Sequence, residues 1–108
     1  MRVPLDDAEF DDGDRLTYRG QPFTGIAVEA DEDGVLAESS FRVGVQDGPE
    51  RSFREDGSVS VENIYQFGII REGRRWHGNG LLAYEMHADE FGRMQSEQRW
   101  DADGNPEQ

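Results

Sequence analysis

Apolar residues recur in this chain at fixed distances from four Asp-Gly or Asn-Gly dipeptides: Asp33-Gly34, Asp56-Gly57, Asn79-Gly80 and Asp103-Gly104. Two residues after each glycine stand Leu36, Val59 and Leu82, with Pro106 in the last unit. Four residues before each glycine stand Phe53, Trp76 and Trp100, with Ala30 in the first. Beyond the turns, Val59 and Val61, then Tyr84 and Met86, alternate with polar neighbours, the period of a half-buried strand. No segment sets apolar residues at i, i+3, i+4 and i+7 over three turns, and glycine interrupts every long window, so no helix is predicted. The turn glycines are 23, 23 and 24 residues apart, a spacing that signals repeats. Asn-Gly and Asp-Gly suit two-residue type I′ turns, whose central residues both need positive φ. The pattern therefore predicts an all-β fold, a single-layer antiparallel sheet of tandem β-hairpin repeats over residues 15–108.

Aligning the units on these glycines exposes further members. A glutamate recurs at Glu38, Glu62 and Glu85. An aromatic residue followed by a second glycine recurs in Tyr18-Arg19-Gly20, Phe41-Arg42-Val43-Gly44 and Tyr65-Gln66-Phe67-Gly68. Gly25 and Gly48 begin the next units, but Arg71 and Gln95 hold that place later, so the later connections are expected to bend differently. Residues 1–14 match the unit poorly and are rich in Asp, as expected of an irregular cap or arm. Pro106 lacks an N–H, which blunts an open sheet edge.

Counting outward from two-residue turns gives a register. Around Asp56-Gly57 it sets Phe53 opposite Ser60 and Arg51 opposite Glu62; around Asn79-Gly80 it sets Trp76 opposite Ala83 and Arg74 opposite Glu85. One face is thus expected to repeat an aromatic ring and an Arg–Glu pair, each facing pair contributing about 0.2–1 kcal/mol, with a cation–π term where Arg meets a ring. The other face receives Val59, Val61, Tyr65, Leu82, Tyr84 and Met86, with His77 opposite Leu82. Phe53, Trp76 and Trp100 suit packing between hairpins; with Arg51, Arg74, Glu62 and Glu85 they also form a candidate binding stripe, since aromatic residues and Arg concentrate interface energy.

Charge narrows the partners. The net charge of −13 disfavours nucleic acid and suits a basic protein, through steering and complementary potential. All 11 basic residues are Arg. Cysteine is absent, which excludes disulfides and thiolate metal sites. No stretch is long enough to span a membrane and the first residues lack a signal-peptide apolar run, so cytoplasmic residence is expected. His77 and His87 have no zinc-type spacing, and Asp31-Glu32-Asp33-Gly34 does not match a calcium loop, so neither metal nor cofactor is expected. The serines lack a nucleophile-elbow setting. If the chain is an enzyme, His77, His87 and Glu85 are the acid–base candidates.

The Tyr-x-x-Gly unit, its second glycine and its hairpin resemble MORN repeats, and more closely the MORN-variant repeats of the bacterial YwqK-type antitoxin family. Tyr18-Arg19-Gly20-Gln21-Pro22-Phe23-Thr24-Gly25 resembles that family's opening, and the stretches from Asp33, Asp56 and Asn79 resemble its turn-and-strand core. The resemblance implies a non-catalytic protein of antitoxin or immunity type that neutralises a partner protein, such as a basic toxin, through a sheet face. The alternative is a small biosynthetic or metabolic protein that holds a small molecule on a curved sheet, with acid–base help from a His or carboxylate. A structural array that self-associates by its edges is a third option.

Overall fold

The computed structural model describes residues 1–107. Among the described residues twelve strands run in chain order: β1 Arg2–Pro4, β2 Glu9–Phe10, β3 Leu16–Tyr18, β4 Gln21–Pro22, β5 Gly25–Asp31, β6 Gly34–Arg42, β7 Val45–Phe53, β8 Val59–Gln66, β9 Ile69–Trp76, β10 Leu82–Ala88, β11 Met94–Trp100 and β12 Pro106–Glu107. Strands β5 to β12 form one meander in sequence order, every pair antiparallel, with β1 added in parallel beside β5. This is the all-β sheet of consecutive hairpins that the periodicity predicts. Among the described residues no helix is long and apolar enough to cross a membrane.

The stretch expected to be an irregular cap contains β1, a 3-10 turn at Leu5–Asp7 and β2. Strands β2, β3 and β4 form a separate three-stranded sheet. It supplies Leu16 to the main buried cluster, where Leu16 joins Phe23, Val3, Ala27 and Phe41. Phe23 bridges the two sheets by packing against both Tyr18 and Phe41. The apolar core is thus gathered at the N-terminal end of the sheet. The rest of the meander buries Met86 and Ala88 and otherwise relies on half-buried side chains held by its ladders, which explains how a chain with 34% hydrophobic residues can build it.

The turns differ from the expectation in a consistent way. Two-residue loops with positive φ at both positions occur at Arg19-Gly20, Val43-Gly44 and Phe67-Gly68, the type I′ signature. At the Asp/Asn-Gly sites after β7, β9 and β11 only the glycine has positive φ. There the Gly57, Gly80 and Gly104 amides donate to the Arg54, His77 and Asp101 carbonyls, and the amides of those three residues donate back across the loop to Ser58, Leu81 and Asn105. These are three-residue loops, a type I turn followed by glycine in the left-handed region. The first Asp-Gly differs again, with Asp31 paired directly to Gly34.

One extra residue per turn displaces the nearest pairs, and a bulge then restores the count. Phe53 faces Val59, not Ser60, and Trp76 faces Leu82, not Ala83. His77 meets Leu81 across its loop, not Leu82. Past the bulges, Arg51 faces Glu62 and Arg74 faces Glu85, as counted from the sequence. Val59 and Leu82 therefore belong to the aromatic face, not the opposite one. Arg71 and Gln95 sit at register shifts between Ile64/Tyr65 and between His87/Ala88, and Gly48 sits at one opposite Ser39/Phe41, so the later units keep the irregularity of that earlier one without its glycine and do not bend differently as expected.

Candidate functional site

The pleat sends alternate side chains to one face, and the register aligns them across strands. Along that face Val28, Glu38, Arg51, Glu62, Arg74, Glu85 and Gln98 occupy successive strands in one row. Opposite charges alternate through its middle five positions. Arg51 Nε lies 2.7 Å from Glu62 Oε2, and Arg74 Nε lies 2.8 Å from Glu85 Oε2. Arg2 extends the row from β1, its Nη2 2.9 Å from Glu38 Oε1. Glu72 and His87, a facing pair two residues further along their strands, add contacts at 3.5 Å to Arg74 and to both Glu72 and Glu85; those of His87 are ion pairs only when its imidazole is protonated.

These contacts set the acidity of the ladder. The hydrogen bond from Arg74 holds Glu85 below the usual carboxylate range, against the opposing effect of desolvation. Arg2 does the same for Glu38. Arg74 is pushed up in turn, first by its hydrogen bond to Glu85. A carboxylate fixed in its ionised form is a weak base, the reverse of the tuning that general acid–base chemistry near neutrality needs. His77 is also engaged: its Nε2 lies 2.8 Å from the Trp100 carbonyl oxygen, tying one turn to the next hairpin. His77 stands beyond the turn end of β9, whereas His87 faces Glu72 near the other end of the β9–β10 pair, so no dyad forms between them.

Two residues along from the ladder, towards the glycine turns, runs an apolar row. Ala30 faces Val35, Phe53 faces Val59, Trp76 faces Leu82 and Trp100 faces Pro106. In the last three of these pairs a ring from one strand thus meets an aliphatic side chain from the other. Phe53, Trp76 and Trp100 are half-buried, between packing and open surface. The face carries these two rows side by side, and the N-terminal sheet packs instead on the opposite face, against Ala27 and Phe41. The sequence-predicted residues Phe53, Trp76, Trp100, Arg51, Arg74, Glu62 and Glu85 are therefore brought together on one surface.

Cation–π contacts form elsewhere than expected. Arg75 and Arg99 approach the Tyr84 ring at 4.5 and 5.1 Å on the opposite face, where the Tyr84 hydroxyl donates to Glu97 at 2.6 Å. That bond to Glu97 raises the Tyr84 pKa. Sequence reasoning did not reach the Arg2–Glu38 pair, because β1 adds in parallel from a stretch outside the repeat. It also did not reach Arg54, which donates through Nη2 to the Trp76 carbonyl at 2.6 Å and so joins hairpins. Its signal was the repeat itself, since Arg54 and His77 hold the same place in successive units and bond the same place in the next.

No protein-family model matches the chain, and no curated protein matches it. Among solved structures, a similar chain occurs in the crystal structure of accessory secretory protein 1, 2 and 3 in Streptococcus pneumoniae. The two are 17% identical with a TM-score of 0.43; the match covers 92% of this chain and 18% of that one, and so distant a likeness bears on neither activity nor partner.

Proposed function

We propose that this protein is a non-catalytic binding module of antitoxin or immunity type, acting in the cytoplasm, whose exposed sheet face engages a basic protein. The observation that supports this most is the presence of two rows side by side on one face, an apolar row and an alternating-charge ladder. Half-buried aromatic rings beside ordered Arg and Glu groups combine apolar contact with charge-specific register. The net charge of −13 adds attraction for a cationic partner. The ionised, Arg-bound state of Glu85 and the anchored ring of His77 favour this reading over acid–base catalysis on a bound small molecule.

Capture from native-host extract on the immobilised protein, followed by titration of the purified partner, tests the reading. A single basic protein should bind, and Trp76→Ala should weaken it by about tenfold or more. Arg75→Ala, on the opposite face, should leave the affinity within about twofold. Recovery of a small molecule with no protein partner would favour the metabolic alternative instead.

A further inference from the structure

The apolar row is incomplete at its first unit. Ala30 stands where later units present Phe53, Trp76 and Trp100, and the first Asp-Gly loop is shorter than theirs. Beside Val35, the residue that faces Ala30, there is an open cleft of about 420 Å³. Phe53, Leu36 and Val35 line it, and the two aliphatic residues are exposed by 47% and 38%. Its remaining walls carry Asp31, Asp33, Glu38 and Glu55. Arg54, the cleft's one basic lining residue, directs its guanidinium donors to the Val59 and Trp76 carbonyls. Among the described residues Asp31, Asp33 and Glu55 have no ion-pair partner.

Resting on the binding reading above, we infer that this cleft receives an arginine side chain of the protein partner. Two features select that occupant. The apolar lining includes an aromatic face, which suits the stem and plane of a guanidinium side chain. The acidic groups are spread around the walls, and among the described residues no group of three or more His, Asp or Glu is placed to hold a metal ion. Dispersed carboxylates match a planar cation with five divergent donors better than a point charge, which also prefers Arg over Lys.

The test uses the intact protein, isotopically labelled, and a blocked hexapeptide carrying one central arginine. The arginine peptide should shift the signals of Val35, Leu36 and Phe53 saturably, and the same peptide with neutral citrulline should not. Ala30→Phe sets a ring opposite Val35, at the edge of the cleft, and should abolish saturation while the spectrum stays folded. The double change Asp33→Asn with Glu55→Gln should weaken binding by about threefold or more, with added salt acting in the same direction. Equal response to citrulline, or unchanged binding by the folded Ala30→Phe protein, would overturn the assignment. A natural partner that is lost with Trp76→Ala but indifferent to Ala30→Phe would also overturn it, while leaving the face-binding reading intact.

Discussion

Glu85 shows how a single side chain ties the ladder together. Its carboxylate takes the Arg74 hydrogen bond and lies 3.5 Å from His87, so its folded-state pKa falls below the ordinary 4.5. Glu38 follows the same rule through Arg2. A depressed carboxylate stabilises the fold fully above its unfolded pKa and loses that contribution as pH falls through the lower, folded value. Urea unfolding should therefore show stability declining below pH 4.5, and Glu85→Gln should flatten that decline. An identical pH profile in the variant would remove the ladder's electrostatic role. The residue scale also shows unusual backbone. Val43 and Phe67 have φ of 49° and 51°, a region that costs a residue with a Cβ about 1–2 kcal/mol. Asn adopts it readily, so Phe67→Asn should raise stability by about 1 kcal/mol in chemical denaturation.

At the scale of the element, the two kinds of turn explain which pairings were legible beforehand. Asp-Gly is a strong type I′ signal, yet here Asp stays at negative φ and only glycine crosses over. The true type I′ loops carry Arg19, Val43 and Phe67 at their first position, residues that give no such signal. Arg51–Glu62 and Arg74–Glu85 were still counted correctly, because each longer loop is offset by a bulge one step further on. The partners of Phe53 and Trp76 lie between loop and bulge, where the two do not cancel. The repeat signature Tyr18-Arg19-Gly20 predicts a hairpin of the array, but β3 and β4 instead join β2 in a separate sheet, whose core depends on tertiary contact between Leu16, Phe23 and Phe41. Turn glycines also differ in what surrounds them. A Cβ at Gly44 would stand 2.9 Å from the Leu16 carbonyl oxygen, whereas one at Gly57 meets nothing within 4 Å. Both have positive φ, so Gly57→Ala should cost about 1 kcal/mol and Gly44→Ala about 3 kcal/mol, as read by thermal unfolding.

Across the whole molecule, dimensions of 48 × 37 × 19 Å describe a broad, thin body with its buried cluster at one end. Such a shape leaves much of the sheet's surface available relative to its size. The surplus of 24 acidic over 11 basic residues gives it a long-range negative field. Reversing Asp31, Asp33 and Glu55 to Arg should slow association with a basic partner and flatten its salt dependence in stopped-flow measurements. Unchanged association at low salt would remove steering from the account. The central claim, that the laddered face is the binding surface, is tested most directly by titrating the captured partner against Trp76→Ala and Arg75→Ala proteins, each checked for native unfolding behaviour. Loss of about tenfold or more in affinity for the first and near-native affinity for the second is the expected result; the reverse order, with Arg75→Ala losing the partner and Trp76→Ala keeping it, would contradict the claim.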